Sequence, residues 1–322
     1  MDNNTILVLS DPADRQLAML ESLPDSTSIA VGNNAEAFER LAPEANVILN
    51  WSGSRQLMQQ VWKMAPRVKW VHSRAAGLDG MLFPDLAESP VPLTNGRGVF
   101  SQSLGEFVIG AALFFAKDFR RMIRNQAAGV WEQFDVEEVR GQTMGIVGYG
   151  DIGRACAERA HAMGMKVLAL RRRPELSDGD TFVSAVYGLD RLLEMIPECD
   201  YVVAAAPLTP ATRALIGEAA IHAMKETAVV MNVGRGPVVD EKALIRALES
   251  GRIRGAALDV FENEPLPAGH PFYKLENLLL SPHCADHTAD WLEQAMQFFM
   301  DQFARYAAGE PLLNVVDKKA GY

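Results

Sequence analysis

Short apolar runs alternate with amphipathic stretches along this chain. Thr5-Ile6-Leu7-Val8-Leu9, Val47-Ile48-Leu49 and Val68-Lys69-Trp70-Val71 read as strands, because brief runs of aliphatic and β-branched residues suit a covered sheet. Asp11 stands where an N-cap would precede a helix carrying Leu17, Leu20 and Leu23. After Ser89-Pro90-Val91-Pro92 and the turn-rich Thr94-Asn95-Gly96-Arg97-Gly98, the chain is expected to cross into a second domain. Ser101 or Ser103 is then expected to cap a long helix with Leu104, Phe107, Val108, Ala111 and Phe114 at helical spacing. A second series follows, with a strand over 144–147, a helix over 152–163 and a strand over 166–170. Further strand-like runs occupy 201–204, 228–231, 256–258 and 278–280. The periodicity over 288–308, carrying Trp291, Leu292, Ala295, Phe298, Phe299 and Phe303, predicts a long helix that packs back on the first domain.

Alternating βα units with strands apolar on both faces predict parallel sheets covered by helices. The fold class is therefore α/β, with two Rossmann-like parallel-sheet domains, the first flavodoxin-like and the second doubly wound. The boundaries predicted are 1–99 plus 290–322 for one domain and 100–289 for the other, in keeping with 322 residues at about 150 per domain. Hydrophobic residues at 48% and charged residues at 22% exclude a disordered chain. The net charge of -10 argues against binding a phosphate backbone, so no nucleic-acid partner is expected. Cys156, Cys199 and Cys284 form neither a disulfide framework nor a zinc spacing, and no metal is expected. Met1-Asp2-Asn3-Asn4 lacks the basic start of a signal peptide, and the apolar run 108–116 is too short to cross a bilayer. The expectation is a cytoplasmic protein without membrane contact.

Gly148-Tyr149-Gly150-Asp151-Ile152-Gly153 is a G-x-G-x-x-G motif between a predicted strand and a predicted helix. In that setting the first glycine permits a tight turn, the second lets backbone approach a pyrophosphate, and the third allows close helix–strand packing. The next strand ends in Arg171-Arg172-Arg173, where NAD-binding sites place an acid for the ribose 2′-hydroxyl. Guanidinium groups there favour the 2′-phosphate of NADP(H), with NAD(H) tolerated.

Three further strand ends carry polar residues: Asn232-Val233-Gly234-Arg235-Gly236-Pro237, Asp259-Val260-Phe261-Glu262-Asn263-Glu264-Pro265, and Ser281-Pro282-His283. Ligands bind at such ends in open α/β sheets. An Arg, a Glu and a His together suit reduction of a 2-oxo acid. The Arg anchors the carboxylate, the His gives a proton to the carbonyl oxygen, and the Glu orients the His.

With these motifs and Pro207-Leu208-Thr209, the chain resembles the D-isomer-specific 2-hydroxyacid dehydrogenases of the glyoxylate/hydroxypyruvate reductase and phosphoglycerate dehydrogenase kind over nearly its whole length. The resemblance implies that Arg235 binds substrate, Glu264 pairs with His283, and His283 is the acid/base. It implies that Asp259 holds the nicotinamide carboxamide, and that Ala206, Pro207, Thr212, Val233, Gly234 and Ala285 line the cofactor. Ser73-Arg74-Ala75-Ala76-Gly77-Leu78-Asp79 resembles the family's substrate loop, which gives Ala76 and Gly77 the substrate carboxylate and Asp79 a turn. Arg74 is either a second anion contact or a surface arginine. Trp51, Arg74 and Phe100 are candidates for shaping the substrate pocket.

The sequence departs from the family after His283, where Cys284-Ala285-Asp286-His287-Thr288 replaces small residues and glycine. Cys284 is expected to be a small packed residue. His72, His161, His222 and His270 have no acid partner in any motif and are expected to be structural or surface residues. The resemblance also implies a homodimer through the cofactor domain, formed by the helix after Ser101 and Ala127-Ala128-Gly129-Val130-Trp131. An alternative from another class is a dinucleotide-sensing corepressor with little turnover, since such relatives keep the Arg-Glu-His set.

Overall fold

The computed structural model describes residues 4–78 and 80–321; Asp79, read above as a turn residue, lies outside them. The chain divides into two compact units, Met1–Val99 with Ala289–Tyr322, and Phe100–Thr288.

In the first unit, β1 (Thr5–Leu9), β2 (Ser28–Gly32), β3 (Val47–Asn50), β4 (Trp70–Ser73) and β5 (Leu93–Asn95) form one parallel sheet in the order β2-β1-β3-β4-β5. Every residue of β1, β3 and β4 is buried, as a sheet covered on both faces requires. Helix Arg55–Met64 starts at Ser54, whose hydroxyl accepts the Leu57 N–H at 3.1 Å. The helix expected after Asp11 is instead a 3-10 helix, Arg15–Ser22, with no side-chain cap. Asp11 is spent on a tight turn, accepting the Ala13 N–H at 3.0 Å. Thr94 belongs to β5 rather than to a turn, and its hydroxyl accepts the Trp70 indole N–H at 2.8 Å. The last helix begins at Trp291 rather than at 288 and ends at Ala307. It stacks Phe299 on Trp70, with ring centroids 5.4 Å apart.

In the second unit, β6 (Thr143–Val147), β7 (Lys166–Leu170), β8 (Ala185–Tyr187), β9 (Tyr201–Ala204), β10 (Val229–Asn232), β11 (Gly255–Leu258) and β12 (Leu278–Leu280) form a second parallel sheet. Their order is β12-β11-β10-β9-β6-β7-β8. The winding reverses between β6 and β9, and the crevice at such a reversal is where open sheets of this type bind ligands. Helix Ser101–Ala116 lacks a side-chain cap; Phe100 holds the cap position. Ser103 instead donates to the Ala285 carbonyl at 2.7 Å. That helix crosses Asp151–Ala162 at Gly105, where a Cβ would stand 3.0 Å from the Ala155 carbonyl. Among the described residues no helix is long and apolar enough to cross a membrane.

Candidate active site

The glycine loop leaves β6 at Gly148, whose φ is 101°. A Cβ there would stand 2.5 Å from the Ala206 backbone, so only glycine lets the loop after β9 close on it. Gly153 lies against the Gly148 carbonyl, where a Cβ would be 2.3 Å away. Gly150 differs, because no atom lies within 4 Å of where its Cβ would be. It opens helix Asp151–Ala162, which has no side-chain cap, and the first N–H groups of a helix have no intrahelical partner. Open space beside such donors fits the pyrophosphate of a dinucleotide. Tyr149 turns away from this space; its side chain is buried and donates to Asp180 at 3.0 Å. At the end of β7, Arg171 donates to the Ser177 hydroxyl at 2.7 Å, while Arg172 and Arg173 are exposed.

The loop after β9 is shaped by Thr212, a buried residue. Its hydroxyl donates to the Pro207 carbonyl at 2.6 Å and accepts the Thr209 N–H at 2.8 Å. Asn232 shapes the loop after β10 in the same way. It accepts the Gly234 N–H at 3.1 Å and donates to the Arg235 carbonyl at 3.0 Å. Asn232 was visible in the sequence only as part of a motif, and its cross-loop bonds have no local signal. The Arg235 guanidinium donates to the Gly234 carbonyl at 2.7 Å.

Glu264 and His283 meet. His283 Nδ1 and Glu264 Oε2 are 2.6 Å apart, and the other Glu264 oxygen accepts the Phe261 N–H at 2.8 Å. The His283 ring is 45% exposed. Its backbone has a left-handed φ of 52°, unusual for a residue with a side chain. The Asp259 carboxylate, buried at the end of β11, secures that turn by accepting the N–H of Cys284 at 2.9 Å and of Ala285 at 3.0 Å.

Cys284 is exposed rather than packed. The Asp286 carboxyl is mostly buried. Burial pushes its pKa up, and one oxygen has no hydrogen-bond partner, with His287 Nε2 3.7 Å away. His270 does have an acid near it, Glu241, at 3.9 Å. The pair escaped the sequence because its members are 29 positions apart and share no motif. Burial in the first unit pushes the His72 imidazole down to about 3.

In that unit, the Ala76 carbonyl accepts from the Asn95 side chain at 2.6 Å, and Gly77 follows it. The Arg74 guanidinium lies over the rings of Trp51 and Trp291, at 5.1 and 5.3 Å. Among the described residues no group of three or more His, Cys, Asp or Glu side chains is placed to hold a metal ion.

A family model described as "D-isomer specific 2-hydroxyacid dehydrogenase, NAD binding domain" matches residues 109–285. The chain is 34% identical to a glyoxylate reductase of Korarchaeum cryptofilum, over 81% of this chain and 79% of that one. Its fold is similar to a D-isomer specific 2-hydroxyacid dehydrogenase from Xanthobacter autotrophicus Py2, solved in complex with NADPH and MES. That likeness has a TM-score of 0.86 and 30% identity and covers all of both chains. An NADPH-dependent glyoxylate/hydroxypyruvate reductase from Sinorhizobium meliloti, in complex with NADP and sulfate, is similar with a TM-score of 0.84 and 26% identity, covering all of both chains.

Proposed function

The chain belongs to the D-isomer-specific 2-hydroxyacid dehydrogenase family, and from that premise we propose that it reduces small 2-oxo acids of the glyoxylate and hydroxypyruvate kind to D-2-hydroxy acids, preferring NADPH over NADH. The observation that carries this reading is the 2.6 Å bond between Glu264 and His283.

When bound, the nicotinamide supplies a hydride to the substrate's C2. The Nδ1 proton of His283 is held by Glu264, which leaves Nε2 to give its proton to the carbonyl oxygen as that hydride arrives. Arg235 anchors the carboxylate and polarises the carbonyl. Ala76, Gly77 and Arg74 are assigned to substrate binding, in the domain of residues 1–99 and 290–322. The dinucleotide is assigned to residues 100–289: to Gly148, Tyr149, Gly150, Asp151, Ile152 and Gly153, to Ala206, Pro207 and Thr212, and to Val233, Gly234, Asp259 and Ala285. Tyr149 contributes backbone only. Arg171, Arg172 and Arg173 are assigned to the 2′-phosphate. The NADPH-dependent reductase from Sinorhizobium meliloti supports this cofactor choice. Exposed Ile123, Val130 and Trp131 support a homodimer through the same unit.

The test is NADPH oxidation with glyoxylate, hydroxypyruvate and phenylpyruvate. Turnover is expected with at least one, and His283→Gln is expected to lower kcat by about a hundredfold or more while NADPH still binds. NADPH binding with no turnover of any 2-oxo acid would overturn the reading. A protein partner captured only with dinucleotide present would then favour a corepressor.

A further inference from the structure

Glu241 opens the helix Glu241–Glu249, but Asp240 already caps that helix by accepting the Ala243 N–H at 3.0 Å. A glutamate in a first turn ordinarily stays in water, near the positive end of the helix dipole. Glu241 is buried instead, at 9% exposure, and a buried carboxyl needs partners. One oxygen accepts the Glu262 N–H at 2.5 Å, and the other lies 3.9 Å from His270 Nε2. The His270 ring is itself fixed. Its Nδ1 accepts the Phe272 N–H at 3.4 Å, and it packs on the Phe272 ring with centroids 4.9 Å apart.

Residues 262 and 270 bracket the exposed loop that bears Glu264, so one buried carboxyl is bonded to one end of that loop and lies within ion-pair distance of the other. Behind it the backbone cannot retreat, because Gly236 packs so closely that a Cβ there would stand 1.9 Å from the Phe261 carbonyl carbon. We propose that Glu241 and His270 form a second carboxylate–histidine pair, which clamps this loop and holds Glu264 against His283, making Glu241 a positioning residue for proton transfer. This rests on reading His283 and Glu264 as the acid–base pair. The charged groups facing Glu241 are His270, Glu262 and Glu264. Burial and the two acids oppose its carboxylate, while the Glu262 N–H and His270 favour it; a glutamine there keeps an acceptor for the Glu262 N–H but gives His270 no carboxylate.

The variants are Glu241→Ala, Glu241→Gln and His270→Ala. The readouts are kcat and KM with the best 2-oxo acid, the NADPH dissociation constant, and the downfield proton NMR signal of the short imidazole–carboxylate bond, assigned by its loss in His283→Gln. Glu241→Ala is expected to lower kcat by about tenfold to a hundredfold, with KM and NADPH affinity little changed, because small displacements of catalytic groups are expensive. It should also broaden the proton signal, and Glu241→Gln, which keeps the bond to Glu262 and loses the pairing with His270, should fall between Ala and the parent in both. His270→Ala should lower kcat several-fold and carries the test with Glu241→Gln if the alanine variant does not fold. The clamp is overturned if Glu241→Ala keeps kcat and the signal, if Gln does no better than Ala or matches the parent, or if NADPH affinity falls in step with kcat. If the unmodified protein turns over no 2-oxo acid, the proposed reaction fails, and the proton signal alone decides the clamp.

Discussion

Asp259 and Ser281 are 22 residues apart in the chain and share a buried hydrogen bond, the Ser281 hydroxyl donating to Asp259 Oδ1 at 2.6 Å. The same oxygen takes the N–H groups of Cys284 and Ala285. His283 lies between these donors with its left-handed backbone. The carboxylate at the end of one strand therefore fixes the turn that presents an imidazole from the next.

Asp259→Ala leaves a hydroxyl and two N–H groups without an acceptor at a buried position. Unsatisfied groups of this kind cost about 1–3 kcal/mol each, with incomplete additivity, so a loss of about 3 kcal/mol in urea unfolding is expected. Activity should fall at least tenfold as the imidazole loses its fixed place. Asp259→Asn keeps the acceptor oxygen and should retain most of the stability. An alanine variant as stable as the parent would show that the turn supports itself.

The arginines after β7 set the second expectation. Arg171 is held by Ser177, and Arg172 and Arg173 face solvent. A charge-assisted hydrogen bond contributes about 1.5–3 kcal/mol, so replacing two arginines should lower the preference for NADPH over NADH by roughly a hundredfold. The measurement is the ratio of kcat/KM for the two dinucleotides in Arg171→Asp with Arg172→Ala. An unchanged ratio would remove these side chains from the 2′-phosphate.

The buried strands were legible because β1, β3, β9 and β10 are covered on both faces, which leaves uninterrupted apolar runs. β2 and β8 were not, although each carries a three-residue apolar run, Ile29-Ala30-Val31 and Ala185-Val186-Tyr187; a run that short does not separate a half-buried edge strand from a loop. The glycine loop and the Ser-Pro-His turn were legible because local backbone needs dictate residue type at close spacing. Glu241 was hidden, since an acid in a first helical turn looks the same whether it faces solvent or a distant loop. Cys284 is exposed although a lone small residue of its kind ordinarily packs, and its surroundings come from residues distant in the chain, which no local pattern shows.

His72 ties the stability of the first unit to pH. It is fully buried, and its Nδ1 lies 2.7 Å from the Thr94 hydroxyl. That hydroxyl also accepts from Trp70, while the buried Nε2 has no hydrogen-bond partner among the described residues, so the site offers nothing to hold a second ring proton. Burial lowers the imidazole from 6.5 to about 3, so the folded state holds it neutral while the unfolded chain takes up a proton below 6.5. Stability is fully present above that pH and is lost as pH falls toward 3, at about 1.4 kcal/mol per unit, or about 2 kcal/mol by pH 5. Urea unfolding at pH 5 and pH 8 should show this difference, and His72→Leu should remove most of it. An unchanged slope in the variant would place the titration elsewhere.

The last expectation concerns assembly. Helix Phe119–Ala128 buries none of its residues, and Ile123 is 62% exposed. Just beyond it, Val130 is 50% and Trp131 95% exposed. An indole left almost wholly in water beside other apolar side chains marks an interaction surface, and tryptophan is prominent among the residues that dominate interfaces. A symmetric dimer covers such a patch with its own copy. Light scattering at micromolar protein should give twice the chain mass. Trp131→Ala with Ile123→Asp should weaken association by about 2 kcal/mol or more, roughly thirtyfold in Kd, which brings monomer into view on dilution. A parent protein that is monomeric at micromolar concentration would reject the dimer.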